Sequence, residues 1–337
     1  MGSDTRVDLY TPFQILREIR ICQADFKLPL AILPRQFIQG EIRLNSGETR
    51  CTLLYGKMEN HGGYGKIILA NRQARIKGAA QGSCCVKLPY DTAYSLVPEA
   101  ILQHIASERL VQAGIHGAIP RVHDIFQYAG ETRFSMDFID GTSSVQLLLE
   151  SPTPDLVLLQ ILAQVTLLLG FLEEQVRLDH RDLKVDNLWI RSRPIEYRLQ
   201  VGGEAWHVVA PFQVVLLDFG FSCLGNADGQ AAVSLSDGIL PLIDPCPKEG
   251  RDLFQLIASI WSIPQIRTRI GAAIQADIEL LLSYKDKSYT KLVKQTTQSH
   301  WIYLAVSEAA FRHPPLHPLS LLRAMSIKYD CVKRSSE

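Results

Sequence analysis

The sequence lacks net charge: its 35 Lys and Arg balance 35 Asp and Glu. That balance removes any composition-level argument for a nucleic-acid partner or an anionic membrane. It lacks a CxxC pair and any Cys/His spacing of a metal site, so zinc is not expected. Its cysteines are Cys22, Cys51, Cys84, Cys85, Cys223, Cys246 and Cys331. An odd number without paired spacing fits free thiols in a reducing compartment better than a disulfide framework. No signal peptide is expected, because Asp4, Arg6 and Asp8 interrupt any apolar run at the start. Arg6 also stands where a myristoylation signal requires Ser or Thr. Nor is there a run suited to cross a bilayer. Residues 156–172 are uncharged, but they fall short of the ~20 residues needed, and Gln160, Gln164 and Thr166 interrupt them. A core helix is expected there. These absences point to an intracellular protein, cytoplasmic or nuclear, without a membrane anchor. Internal repeats and low-complexity segments are lacking too.

What is present is ordinary globular composition, 47% apolar and 21% charged, over 337 residues. That length suits one large domain or two lobes. Residues 11–26 have helical periodicity, with Thr11 as N-cap and Pro12 at the first helical position. Short alternating runs follow at 49–58, 66–73 and 83–89, then at 121–128 and 132–139, which reads as a strand meander. One helix interrupts it at 97–113, ending before Gly114. From about residue 142 the character changes. Helical stretches are expected at 145–150, 155–177, 251–264, 269–284, 299–311 and 318–328, with a strand-rich interlude at 187–222. Within that interlude, Val201-Gly202-Gly203-Glu204 sits between alternating runs, a hairpin pattern. A β-rich first part and an α-rich second part imply an α+β fold in two subdomains.

The densest chemistry is His180-Arg181-Asp182-Leu183-Lys184-Val185-Asp186-Asn187. Phosphoryl transfer needs a carboxylate for the attacking hydroxyl, a cation for the moving phosphoryl group and an oxygen ligand for Mg²⁺. Asp182, Lys184 and Asn187 offer the three within one short loop. Asp218-Phe219-Gly220 follows the buried-strand run VVLL at 214–217. Upstream, Asn60-His61-Gly62-Gly63-Tyr64-Gly65-Lys66-Ile67 is a glycine-rich turn able to bring backbone N–H groups close to phosphate. Val86-Lys87 lies 20 residues beyond it, and residues 134–141 read FSMDFIDG.

Together these residues resemble the eukaryotic-type protein kinase superfamily. The 180–187 run matches the HRDLKxxN catalytic loop at every defined position. The glycine-rich turn resembles GxGxxGxV, with Asn60 in place of the first glycine and Gly62 and Gly65 as the other two. The resemblance implies a bilobal fold: an N-terminal extension over 1–40, an N-lobe of five strands and one helix over 41–140, and a C-lobe over 141–337. It implies ATP and Mg²⁺ as cofactors. Gly62, Gly63, Gly65 and Ile67 would cover the nucleotide. Lys87 would meet its α- and β-phosphates, held by Glu99 or by Glu108. The helix face shared with Ile101, Leu102 and Ile105 favours Glu99. Met136 would line the back of the adenine pocket, Asp137 and Ile139 would hydrogen-bond the base through their backbones, and Val86 and Leu188 would sandwich it. Asn187 and Asp218 would hold the metal, Lys184 would neutralise the γ-phosphate, and Asp182 would orient a protein hydroxyl. Lys184 two residues after Asp182 resembles the serine/threonine class. Asp252, in GRDLFQLIASIW at 250–261, resembles the buried acid that anchors the catalytic loop.

The chain also departs from that pattern. It has no Ala-Pro-Glu between 221 and 251, where Pro241, Asp244-Pro245 and Pro247-Lys248-Glu249 are poor substitutes. The interval from Asn187 to Asp218 is long enough to hold the 201–204 hairpin. That insertion is similar to one in haspin-type kinases and in kinase-like proteins of large DNA viruses, although haspin-type proteins lack DFG as such. Arg181 beside Asp182 implies control by a phosphate on Ser222, Ser234 or Ser236. The short segment without Ala-Pro-Glu implies instead a loop fixed open without phosphate, the reading favoured here. Two other functions carry weight: a pseudokinase that binds nucleotide as a scaffold, and a small-molecule kinase. The intact Lys87, Asp182, Asn187 and Asp218 oppose the first, and Leu183-Lys184 opposes the second.

Overall fold

A computed structural model describes residues 35–38, 41–43, 49–61, 65–75, 81–90, 95–128, 131–225, 228–235, 244–284, 287–295, 300–308 and 310–335. The helix expected at 11–26, the glycines Gly62 and Gly63, and Pro241 and Ser236 lie outside the described residues. The chain is mixed α+β. It divides into two compact units: one runs to Glu108 and resumes over Pro120–Phe138, and the other comprises Arg109–Ile119 and the chain from Ile139 onward.

The first unit is a seven-stranded sheet closed on itself. Its strands, in spatial order, are Arg35–Ile38, Glu41–Arg43, Thr49–His61, Gly65–Ala74, Gly82–Pro89, Glu131–Asp137 and Val122–Tyr128. Closure comes from a parallel pairing of the first and last, Arg35 opposite Phe126 and Gln36 opposite Gln127. Five strands were expected. The two extra ones are only four and three residues long, too short for alternation to register in the sequence. Period-two burial fills the interior: Cys51 and Leu53 from one strand, Cys84, Val86 and Leu88 from another, with Ile42, Ala70 and Phe126. A charge pair is buried as well. Arg72 donates through Nε at 3.0 Å and Nη2 at 2.6 Å to Oδ2 of Asp124, and both side chains are 0–1% exposed. The hairpin joining Thr49–His61 to Gly65–Ala74 shifts register twice between Tyr55 and Asn60, so bulges twist it just before the glycine-rich turn.

In the second unit, Pro154–Val176 is the long apolar helix. Its length and composition would let it cross a membrane, yet 78% of its most apolar window is buried inside the protein. It is therefore the core helix expected from the sequence. Against it lies the hairpin Ile195–Val201/Glu204–Ala210. The hairpin turn, Gly202-Gly203, takes φ of +63° and +72°, both in the left-handed region that a two-residue hairpin requires. Inward residues alternate strictly: Ile195, Tyr197, Leu199 and Val201, then Trp206, Val208 and Ala210. Gly170 permits the close approach, since a Cβ there would stand 2.9 Å from the Val201 side chain. Val332–Ser335 adds a third strand to this sheet, an element with no signal in the sequence.

The expected helices appear within a few residues of their expected bounds, as Val97–Gln112, Ser144–Glu150, Arg251–Ser262, Ala272–Leu281, His300–Ser307 and Pro318–Lys328, and two short helices, Pro264–Arg267 and Thr290–Gln295, join them, the second where none was expected. The expectation of free thiols is overturned. Cys223 and Cys246 form a disulfide across 23 residues, with Cα atoms 6.4 Å apart. Cys51, Cys84, Cys85 and Cys331 form no disulfide. The pairing was invisible because it depends on two distant segments lying side by side, not on spacing along the chain.

Candidate functional site

In the first unit, Lys87 sits on the strand Gly82–Pro89. Alternation turns it away from the Cys84–Val86–Leu88 face and toward the helix Val97–Gln112. The first turn of that helix supplies Glu99. Lys87 Nζ lies 2.5 Å from Glu99 Oε1, and both side chains are nearly fully buried. Glu108 faces elsewhere, 3.6 Å from Arg121. Of the two candidates the structure therefore brings Glu99 to Lys87. Gly65 makes room for this lysine: a Cβ at Gly65 would stand 3.0 Å from Lys87 Cε and 2.8 Å from the Leu88 carbonyl. Ile67 is the direct cross-strand neighbour of Lys87.

Met136 receives a hydrogen bond from Gln103 Nε2 at 3.5 Å, and that amide also donates to Pro120 O at 2.8 Å. Asp137 donates its backbone N–H to Arg121 O at 3.0 Å. Burial raises the pKa of its carboxyl, but His123, 3.0 Å away, and the Arg121 N–H pull it below the usual value. Ile139 lies in the irregular stretch 138–140 and belongs to the second unit.

In the second unit, the loop 180–187 is pinned from below by one helix. Asp252 of Arg251–Ser262 accepts from His180 N at 2.7 Å and Arg181 N at 2.8 Å. One turn on, Gln255 donates to Arg181 O at 2.7 Å, and Ser259 accepts from Val185 N at 2.9 Å. Residues 252, 255 and 259 share a helix face, so one polar stripe on an otherwise apolar helix satisfies the loop backbone. Asp252 was expected in this role. Gln255 and Ser259 were not, although their spacing on an apolar helix was a readable signal. Ser144 closes the other side by donating to Val185 O at 2.7 Å.

Within the loop, Lys184 Nζ reaches Asp182 Oδ2 at 3.1 Å, and Asn187 Nδ2 reaches Asp182 O at 2.8 Å and Oδ2 at 3.2 Å. The other carboxylate oxygen of Asp182, Oδ1, is buried and has no hydrogen-bond partner among the described residues. Desolvation pushes the Asp182 pKa up to about 6; Lys184 opposes the rise and Asp218 adds to it. Burial lowers the pKa of His180, which favours its neutral form. Its Nε2 is 3.0 Å from Leu217 O, and its ring lies 4.9 Å from that of Phe219. Three non-glycine residues have positive φ among the described residues; two of them, Arg181 (+64°) and Asp218 (+62°), belong to this site. Backbone strain of this kind persists where surrounding contacts impose it, often at functional positions.

A buried charge network extends behind the loop. Arg181 donates to Ser234 Oγ at 2.7 Å and lies 3.2 Å from Asp244. Asp244 also pairs with Lys248, at 3.0 Å, and with Arg251. Arg251 holds Asp179 through Nε at 2.9 Å and Nη2 at 2.6 Å. Asp179 and Asp252 lie against each other. Burial and the neighbouring Asp179 drive the Asp252 pKa well up, while Arg251 keeps that of Asp179 low despite its burial.

Asp218 and Asn187 are the oxygen donors that a divalent cation would use here. The Asn187 amide nitrogen is spent on Asp182, which turns its carboxamide oxygen the other way. Among the described residues no group of three or more His, Cys, Asp or Glu side chains is placed to hold a metal. Two protein oxygens would then share the ion with phosphate and water, as Mg²⁺ usually requires. No family model matches this chain, and no curated protein matches it.

Proposed function

We propose that this chain is an ATP- and magnesium-dependent protein serine/threonine kinase with the two-lobed kinase fold, its small lobe over 41–140 and its large lobe over 141–337. One observation carries the reading. Asp182 is a buried carboxylate raised to about 6, with one oxygen held by Lys184 and Asn187 and the other without a partner among the described residues. That is the state needed to take a hydrogen bond from an incoming hydroxyl and accept its proton near neutral pH.

Magnesium-bound ATP supplies the γ-phosphoryl group. Asp218 and Asn187 are the metal's protein oxygens. Lys87, held by Glu99, is the cation for the α- and β-phosphates, with Gly62, Gly63, Gly65 and Ile67 over the nucleotide. Met136, Asp137 and Ile139 serve the base. Lys184 sits on Asp182 before the reaction and offsets charge on the γ-phosphoryl as it moves. The chain's contribution is positioning and electrostatics rather than covalent chemistry. The 195–210 hairpin between Asn187 and Asp218 supports placing it beside the haspin-type and large-DNA-virus branches.

The test is γ-labelled ATP with Mg²⁺, offered to a peptide library and to small hydroxylated acceptors, with Asp182→Asn as control. Label on peptide serine or threonine, absent with the variant, is expected. Label confined to small molecules, or nucleotide binding without transfer, would sink the reading in favour of a small-molecule kinase or a scaffold.

A further inference from the structure

The arginines around the hairpin Ile195–Val201/Glu204–Ala210 are of two kinds. Arg198 donates to Glu196 through Nε at 3.0 Å and Nη2 at 2.6 Å, and His207 Nε2 lies 3.1 Å from the same carboxylate. Arg191 ends the strand Leu188–Arg191, and Arg193 follows it in the turn before the hairpin. Neither meets a carboxylate among the described residues. Both are gathered instead around one peptide, His116–Gly117. Arg193 Nη2 donates to His116 O at 3.0 Å. Arg191 Nη1 lies so close over Gly117 that a Cβ there would stand 2.5 Å from it, and the Arg191 guanidinium makes no hydrogen bond or ion pair among the described residues. Gln213, fully buried and directly opposite Arg191 on the paired strand, fixes the frame. Its Nε2 donates to His116 O at 2.8 Å and to the Tyr197 hydroxyl at 2.6 Å. Its Oε1, 3.3 Å from the same Cβ position on Gly117, is a buried acceptor without a hydrogen-bond partner among the described residues. Tyr197 is 4% exposed, and because it accepts from Gln213, its own O–H remains without an acceptor among the described residues. Burial raises the Tyr197 pKa, and Gln213, Arg193 and Arg191 oppose the rise, so both guanidinium charges act on that hydroxyl.

We propose that Arg191 and Arg193 form a docking site for a phosphate monoester, carried on a phosphorylated serine or threonine of a partner protein. Two guanidinium groups around one peptide, with no resident acid, carry charge that a dianion neutralises, and each presents a fork of N–H donors matched to phosphate oxygens. The Tyr197 O–H is a further donor in the same cluster. The frame exists before binding: Arg193 and Gln213 are already fixed on His116 O, so little side-chain freedom is left to lose. A row of phosphates fits less well, because two arginines on a chain without net charge are too few to track a nucleic-acid backbone. Arg193 and His116 are exposed, so the anion is met at the surface. That suits a group borne on a protein chain better than a small molecule, which a concave pocket encloses. The site lies wholly within the second unit and does not rest on the kinase reading.

The full chain, without ATP, is titrated into a fluorescein-labelled degenerate peptide mixture with one fixed phosphoserine, and into matched mixtures with serine or glutamate at that position. Anisotropy reads binding, with inorganic phosphate and a single-stranded oligonucleotide as competitors. The phosphoserine peptides are expected to bind and the serine peptides not. Arg191→Gln and Arg193→Gln should each weaken binding by about tenfold or more, the worth of a charged hydrogen bond, and the double variant should abolish it. Arg198→Gln, whose parent side chain is already paired with Glu196, should bind as the parent does. Arg191→Lys/Arg193→Lys keeps the charge without the fork and should retain only part of the affinity, which separates recognition from loss of fold; thermal unfolding checks each variant. Phosphopeptide binding that survives in the Gln double variant overturns the proposal. So does glutamate binding as tightly as phosphoserine, which makes the site one for acidic peptides. Inorganic phosphate that binds while phosphoserine peptides do no better than serine peptides assigns the site to free phosphate and overturns the protein partner. An oligonucleotide that binds more tightly than the phosphopeptide through the same two arginines overturns it in favour of nucleic acid.

Discussion

The two units handle buried charge in opposite ways. The first uses compact pairs. Arg72 meets Asp124 inside the closed sheet, and Lys87 meets Glu99. The second uses a network in which Asp179, Asp244 and Asp252 face Arg181, Lys248 and Arg251, with the Asp252 pKa driven well up by burial and Asp179. In front of that network it leaves one oxygen of Asp182 without a partner among the described residues. A compact pair fixes a charge in one geometry and one protonation state. A network can hold a loop rigid while leaving one carboxylate poised to change state, and that is the arrangement chemistry needs.

The contrast can be broken at several points. The largest effect is expected at its centre. Asp182→Asn keeps size and removes the proton acceptor, so transfer should fall by about 10²–10⁴-fold while nucleotide affinity holds; a steady-state assay with a binding measurement checks both. Next comes the compact pair. Asp124→Ala strands the Arg72 guanidinium inside the closed sheet and should cost about 3–5 kcal/mol in urea unfolding. The network should be more forgiving. Asp252→Asn leaves one loop N–H without a proper acceptor, and Gln255 and Ser259 still hold the loop, so a loss of about 1–3 kcal/mol is expected. A larger loss than that of Asp124→Ala would reverse the comparison.

The smallest effect is a shift in pH dependence. Asp182 must be ionised to accept a proton, so transfer should rise with pH through about 6 and level off above it. Lys184 lowers that pKa. Lys184→Met should therefore move the acid limb to higher pH, beyond any loss of rate at the plateau. A limb that stays in place, or moves down, would separate Lys184 from the ionisation of Asp182.

Much of the local architecture was legible beforehand. The long apolar helix was read as core because its uncharged run looked too short for a bilayer and glutamines and a threonine break it; the helix is 23 residues, long enough to span, and its burial is what makes it core. The Gly202-Gly203 turn was readable because two consecutive left-handed residues almost demand glycine there. Asp252 was readable by its place in a motif. Gln255 and Ser259 escaped although their spacing with Asp252 on an apolar helix was a signal; the loop above them shows what the stripe is for. The choice of Glu99 over Glu108 rested on a helix face in the sequence, and in the structure Glu99 is the one that meets Lys87.

The sequence alone determined what nearest neighbours determine: where backbone turns, which stretches are helical or extended, and which reactive residues share one short loop. Those properties depend on interactions over a few residues, which any stretch of chain carries with it. The tertiary structure decided the pairings: Arg72 with Asp124, Arg251 with Asp179 and Asp244, Cys223 with Cys246, and the closure of the sheet through Arg35–Ile38. Each joins segments far apart along the chain. Their partners become known only once the chain has paid the entropy of bringing those segments together.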